Sequence, residues 1–238
     1  MLEKVLFWSG RSVVDVYTKT MLDMDVVRHR SLPEGAKIIA ANHPTTFDPF
    51  LILTLASEQM SILITETCFK VPVFGHYLRA TGHVPVIHSN GRAALEEARW
   101  LLQAGRTIGI FPEGALSPLD GGVCEPRTGT ARLALSAGVP VVPVGIHLDR
   151  ERIRFFETQV DGVTEIARWY FRGPYAVTIG EPMYLAGDVE DWEYVRSVSG
   201  QIMGRIVQLA HESALRMQGS QAFVPGSITR PVRMTGRA

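Results

Sequence analysis

Along the first 26 residues, Leu2, Leu6, Val13, Tyr17, Met21 and Met24 fall at helical spacing, which predicts an amphipathic helix over 1–26. Its apolar face has two destinations, the protein's own core or a lipid surface; Phe7 and Trp8 beside Lys4 and Arg11 suit an interface. Short apolar runs then recur at Lys37 to Ala41, Ser61 to Thr65, His83 to Ile87, Thr107 to Phe111, Val139 to Leu148 and Ala176 to Ile179, and these predict strands. Between two of them, Gly91 to Ala104 sets Leu95, Ala98 and Leu102 on one face, after Ser89 and Asn90 and before Gly105, as a helix with both ends marked would. Runs without polar alternation read as strands buried on both faces, and alternation of strands with helical stretches reads as crossovers. The predicted class is therefore α/β, a mostly parallel central sheet covered by helices, with an N-terminal amphipathic helix. A final helical segment, Asp188 to Met217, carries Val195, Val198, Ile202, Ile206 and Leu209 on one side. After Gly219 the periodicity is lost and Pro225, Gly226 and Pro231 punctuate, so a single domain is expected over 1–218 and a flexible tail over 219–238.

Composition narrows the choices. A chain of 238 residues, 46% of them hydrophobic, can bury one sizeable core and is not a disordered polymer. Lysine plus arginine equal aspartate plus glutamate at 24 each, which leaves no field for a polyanion and argues against a nucleic-acid partner. Cys68 and Cys124 lack metal-site or framework spacing, in keeping with a reducing cytoplasm. A membrane span needs roughly 20 apolar residues in a row, and Lys4, Arg11, Asp15, Lys19 and Asp23 break the greasy start. No signal-peptide pattern is expected there either.

The residues with chemistry in them cluster after two strands. Asn42-His43-Pro44-Thr45-Thr46-Phe47-Asp48 follows the strand ending at Ala41, and in open α/β sheets ligands collect beyond the carboxyl ends of strands. Pro44 suits the first turn of a helix, which would set His43 at the helix entrance and Asp48 about a turn further in. A carboxylate bonded to one imidazole nitrogen leaves the other free to take a proton from a hydroxyl. On spacing alone, a structural histidine capping a helix is the better reading. Phe111-Pro112-Glu113-Gly114 puts a second carboxylate at a second strand end, with a glycine that permits close backbone approach; a solvated turn residue is the alternative for Glu113. His76, His83 and His88 show no paired metal-ligand spacing, and neither a GxSxG elbow nor a phosphate-binding glycine loop occurs.

Over about residues 35 to 185 the chain resembles the glycerolipid acyltransferase superfamily, which includes the 1-acylglycerol-3-phosphate O-acyltransferases. Four blocks carry the resemblance in order: Asn42 to Asp48, Gly82-His83-Val84-Pro85-Val86, Phe111 to Gly114, and Val139-Pro140-Val141-Val142-Pro143-Val144. The resemblance implies transfer of a fatty acyl group from acyl-CoA or acyl-carrier protein to a hydroxyl of a lysolipid, with His43 and Asp48 catalytic. It implies acceptor binding by the second and third blocks, with Glu113 and Gly114 and the nearby His88, Arg92 and Arg127 as the candidates, and a donor pocket near Asn42, Pro143 and Val144. No metal and no cofactor beyond the co-substrate are implied. Backbone N–H groups in the turn after His43 are candidates for holding the developing oxyanion, Pro44 excepted. A membrane surface is the expected partner, the protein lying peripheral to the inner, cytoplasmic face.

The chain departs from the family where phosphate would be held: His88 stands at one usual arginine position, and Ala115-Leu116-Ser117 follows the third block where another is usual. Arg92 and Arg127 are candidates to compensate, with solvated surface side chains as the alternative. Unless they converge, a phosphate monoester should be used less well than a less charged lysolipid or alcohol. A non-catalytic lipid-binding module of the same fold and an acyl-thioester hydrolase are the competing functions.

Overall fold

Three runs set the architecture because they are buried along their length: Ile38–Ala41 (β2), Thr107–Ile110 (β5) and Val141–Leu148 (β6). They lie side by side and parallel at the centre of a seven-stranded sheet, flanked on one side by Met60–Thr65 (β3) and Val84–Val86 (β4). On the other side, Gly173–Ile179 (β9) runs antiparallel to β6, and Leu22–Arg28 (β1) runs parallel to β9 at the edge. The sheet is thus mostly parallel, as the unalternated apolar runs predict. The computed structural model describes residues 2–160 and 163–222.

Successive side chains of a strand point to opposite faces, and β2 divides its residues accordingly. Ile39 and Ala41 join one core with Phe7, Ile52, Ile62 and Tyr175, beneath Leu2–Thr20 (α1) and Asp48–Ile52 (α2). Ile38 and Ala40 join the other with Ala98, Leu102, Ala134, Val195 and Ile202, beneath Gly91–Gln103 (α5), Gly129–Ala137 (α6) and Trp192–Ala222 (α7). Two short helices, Glu66–Lys70 (α3) and Phe74–Ala80 (α4), carry the chain from β3 to β4. Helix α7 packs on β6 so closely that a Cβ at Gly145 would come within 2.0 Å of Ala210 N, so only glycine fits there. Arg154–Val160 (β7) and Val163–Trp169 (β8) form a separate two-stranded antiparallel hairpin.

Three boundaries differ from expectation. The N-terminal helix stops at Thr20, and Leu22 to Arg28 is an edge strand on β9, so residues 22–26 do not belong to a helix. The alternation Leu22-Asp23-Met24-Asp25-Val26 has period two, which suits a strand exposed on one face. The helix's buried face is also rotated: Phe7, Val14 and Thr18 point inward, while Leu2 and Val13 are each 70% exposed. The last helix begins at Trp192 and continues to Ala222, so 219–222 are helical; residues 223–238, the rest of the expected tail, lie outside the described residues. No helix among the described residues is long and apolar enough to cross a membrane.

Candidate active site

Strands β2 and β5 are neighbours and end at the same edge, which brings the loop 42–47 against the turn 111–114. Residues 43–47 are not the first turn of a helix; α2 begins at Asp48, and the proline of its first turn is Pro49 rather than Pro44. Asp48 closes the loop. Its Oδ2 accepts Thr45 N–H at 2.6 Å and faces His43 Nδ1 at 3.1 Å, and its Oδ1 accepts from Thr45 Oγ at 2.5 Å and from Tyr175 Oη at 2.8 Å. Surrounded by donors and 0% exposed, the carboxylate is acceptor only, which assigns the proton on the imidazole to Nδ1. Tyr175 stays a donor, since burial and then the adjacent Asp48 charge push its pKa far above the usual phenol value.

The His43 ring stacks on Phe111 with centroids 4.1 Å apart, its side chain is 17% exposed, and its Nε2 has no hydrogen-bond partner among the described residues. That nitrogen is the free acceptor of the site. The backbone of His43 is held as firmly as its ring: His43 N donates to Glu113 Oε1 at 2.9 Å and Ser117 Oγ at 3.1 Å, and Ser117 N donates to His43 O at 2.8 Å.

Glu113 is neither a solvated turn residue nor open to a ligand. At 3% exposure its Oε1 also accepts from Ser117 Oγ at 2.7 Å, and its Oε2 accepts Cys124 N–H at 2.7 Å. It ties three segments together. Gly114 has φ +62°, and a Cβ there would meet Arg127 Nε at 2.5 Å, so this glycine lets the Arg127 side chain cross the turn.

Other candidates fall elsewhere. Asn42 spends its amide inside the sheet, accepting from Ile146 N at 2.7 Å and donating to Ile146 O at 2.9 Å, while Pro143 and Val144 are buried opposite Ala40 and Ala41. All three hold β2 to β6 instead of lining an open donor pocket, because the fourth block is a central strand. Arg92 is exposed and paired with Glu96 at 3.1 Å on α5, His88 is exposed, and neither joins His43, Asp48 or Glu113 by a hydrogen bond or ion pair. Arg127 is exposed too but lies across Gly114, so of the three candidates it alone adjoins the Glu113 turn and no group of three is assembled there. Two of the N–H groups expected to face an oxyanion are spent, Thr45 N on Asp48 and Thr46 N on Arg168 O at 2.9 Å. His83 is buried with Nδ1 accepting from Ile62 N at 3.1 Å, and no metal-binding group of side chains occurs among the described residues.

Sequence reasoning passed over Tyr175, Ser117, Arg150 and Arg168. Ser117 sits four residues past Glu113 and was within reach of a motif reading; Tyr175 arrives from a strand 127 residues away with no local signal. Arg150 and Arg168 donate Nη1 to Pro118 O and Ser117 O respectively, and Arg168 N donates to Thr46 Oγ at 2.9 Å. An aromatic series also leads outward from the loop, Phe47 to Trp169 (5.6 Å between centroids), Trp169 to Phe171 (5.9 Å) and Phe171 to Phe156 (5.9 Å).

The family model described as Acyltransferase matches residues 23–147, just over half the chain, and contains both the His43 and the Glu113 blocks. A 1-acyl-sn-glycerol-3-phosphate acyltransferase of Haemophilus influenzae is 28% identical over 127 residues, 50% of this chain and 52% of that one. The enzyme of that name from Borreliella burgdorferi is 27% identical over 113 residues, 46% and 45% of the two chains. The chain thus spans about half the length of the curated relatives it matches. The crystal structure of the 1-acyl-sn-glycerophosphate acyltransferase from Thermotoga maritima is similar with a TM-score of 0.57 at 26% identity, covering 85% of this chain and 78% of that one. With the family's blocks meeting at adjacent strand ends and a solved relative sharing most of the fold, this chain belongs to the acyltransferase family.

Proposed function

We propose that this protein transfers a fatty acyl group from acyl-CoA or acyl-carrier protein to a hydroxyl of a lysolipid, with His43 as general base and Asp48 as the group that orients it. The observation that carries this reading is the saturated Asp48 carboxylate, which fixes Nδ1–H toward itself and leaves Nε2 as the acceptor. Nε2 takes the proton of the acceptor hydroxyl as its oxygen attacks the thioester carbonyl. Collapse of the tetrahedral adduct breaks the C–S bond, and the same proton passes from Nε2 to the departing sulfur. No acyl-enzyme forms, so His43 ends the cycle as it began. Relatives named for 1-acyl-sn-glycerol-3-phosphate suggest a lysophosphatidate-type acceptor.

The lipid substrate is reached from a membrane surface in this account. Helix α1 ties Glu3 to Arg106 at 2.7 Å and Arg11 to Thr54 O at 3.3 Å, while Leu2, Val5, Val13 and Val16 face out together with Lys4 and Lys19. Phe155, Phe156, Ile166 and Phe171 are likewise exposed on or beside the hairpin, and Tyr17 of α1 donates to Tyr170 O at 2.7 Å, so the two apolar surfaces adjoin. Such a face fits a peripheral protein, and the unpaired Cys68 and Cys124 suit the cytoplasmic side. The aromatic series from Phe156 ends at Phe47, on the loop that carries His43, which suits an acyl chain approaching from that face.

Mass spectrometry of products after incubation with acyl-CoA and a panel of lysolipids and alcohols tests the reaction. A diacyl product supports the proposal; free fatty acid as the main product makes it a thioesterase, and no turnover at all leaves only a binding module.

A further inference from the structure

We propose that Arg150 and Arg168 together bind a phosphate group of a substrate beside His43, supplying the positive charge that the motif blocks of this chain lack. The inference rests on the acyl-transfer reading and names a part of the same site. Neither residue lies within the matched family segment, which ends at residue 147. Arg150 comes from the short turn Arg150–Arg152 that follows β6, and Arg168 comes from β8 of the hairpin.

Both reach one place. Their Nη1 groups donate to consecutive backbone carbonyls, those of Pro118 and Ser117, and Ser117 is itself hydrogen-bonded to His43 through its N and its Oγ. Arg168 is fastened a second time to the His43 loop, its N–H donating to Thr46 Oγ and its carbonyl accepting from Thr46 N, each at 2.9 Å. The two guanidiniums therefore meet on the 117–118 segment, Arg168 on the residue that is bonded to His43 and Arg150 on the next one.

Neither has a carboxylate partner among the described residues. Glu113, the nearest buried acid of the turn, has both oxygens occupied by other donors, and Asp48 is filled likewise. A guanidinium carries five N–H donors, and the protein uses one side-chain donor of each arginine here. Two half-buried like charges repel one another, and the acids near them, Glu113 and Asp48, are filled by other donors; a phosphate, whose oxygens match the guanidinium fork, relieves that cost. In keeping with this, burial and then the neighbouring Arg168 charge hold Arg150 below the usual arginine pKa, against the opposing pull of Glu113, Asp120 and Asp48. Arg92 and Arg127 offer no such pair, the first being tied to Glu96 in solvent and the second crossing Gly114.

The phosphate belongs either to the acceptor lipid or to the donor's coenzyme, and kinetics separates the two. Arg150→Gln and Arg168→Gln remove the charge together with the Nη1 bond to each carbonyl, since the glutamine amide ends about where the arginine Nε stands; Arg150→Lys and Arg168→Lys keep the charge and should keep the phosphate response. Thermal unfolding of the full chain with and without inorganic phosphate reads the pair without turnover: phosphate should stabilise the wild type and not the glutamine variants. No stabilisation of the wild type, or equal stabilisation of the glutamine variants, overturns the proposal. For the source, lysophosphatidate and monoacylglycerol are each paired with acyl-CoA and with acyl-N-acetylcysteamine, a donor without phosphate. Each glutamine variant should lose about 10- to 100-fold in kcat/KM selectively. Loss that follows lysophosphatidate assigns the acceptor phosphate; loss that follows acyl-CoA assigns the donor phosphate. A uniform loss over all four pairs is what a structural or oxyanion-stabilising role gives, and it overturns the proposal. Failure of the wild type in every pair sinks the acyl-transfer reading and leaves the phosphate titration to judge the arginines.

Discussion

Changing Glu113 to Gln preserves size and removes one acceptor oxygen, yet it should be severe. Three donors converge on the carboxylate: His43 N–H at 2.9 Å, Ser117 O–H at 2.7 Å and Cys124 N–H at 2.7 Å. Whichever way the amide turns, its NH₂ group faces an N–H or O–H donor, and at 3% exposure little water can replace the lost bond. One hydrogen bond to a charged group is worth ~1.5–3 kcal/mol and an unpaired buried donor costs ~1–3 kcal/mol. Allowing for overlap between these, the variant should lose about 3 kcal/mol. At ~2–4 °C per kcal/mol for a chain of this size, its melting temperature should fall by roughly 6–12 °C. Because the clamp holds the His43 backbone, kcat should fall ~10- to 100-fold, as a misplacement near 1 Å can cost about that much. Acceptor KM should change little. Calorimetry and steady-state kinetics on purified Glu113→Gln decide the matter. An unchanged melting temperature with a raised acceptor KM would mean that Glu113 binds the acceptor, the role the resemblance implies, and the clamp argument would fail.

Three further outcomes follow from other contacts. Tyr175→Phe removes one of the donors to buried Asp48, so stability should drop by about 1.5–3 kcal/mol and kcat should fall with it; an unaffected kcat would show that this bond does not orient the carboxylate. His83 is held neutral in the fold, its pKa pulled down to about 4 by burial and then by the Arg106 charge. Protons bind the unfolded chain first, near pH 6.5, so this contribution is complete above that pH and is lost as pH falls toward 4. Relative to His83→Gln, the wild type should therefore lose about 2 kcal/mol in urea unfolding between pH 7.5 and 5, and a pH-independent difference would contradict the assignment. Replacing exposed Leu2, Val5, Val13 and Val16 with serine should leave stability nearly unchanged and cut liposome flotation sharply at any salt, since the helix carries both Lys4 and Lys19 and both Glu3 and Asp15; equal flotation would remove α1 from the lipid contact.

The central sheet was legible because β2, β5 and β6 are buried on both faces and their sequences say so without interruption. Helix α5 was legible for a different reason, a clean stripe that ends at Gly105, whose φ of +85° suits the residue past a helix end. The edge strand β1 and the hairpin were not, although the other edge, β4, was read within His83 to Ile87. β1 alternates acids with apolar residues over a few positions that also fit a helical face, and β7 and β8 leave Phe155, Phe156 and Ile166 in solvent, contrary to the rule that apolar residues mark a core. Within the site, the motif spacing located His43, Asp48 and Glu113, since each lies just after a central strand. It misjudged Glu113's surroundings because a buried carboxylate is defined by its donors, and these come from Ser117 and Cys124 beyond the motif. Tyr175, Arg150 and Arg168 join only through long-range packing, which no local pattern reveals. Asn42 looked like a ligand-facing residue for the converse reason: its amide extends the β2–β6 pairing by reaching Ile146.

The most direct test of the account is the rate of acyl transfer to a lysolipid by His43→Ala, measured beside the wild type on protein whose melting temperature shows an intact fold. Removing a general base commonly costs ~10²- to 10⁴-fold, and a loss in kcat of that size, with acceptor KM little changed, is the predicted result. Near-normal turnover by well-folded His43→Ala would contradict the claim that Nε2 of this residue takes the acceptor's proton.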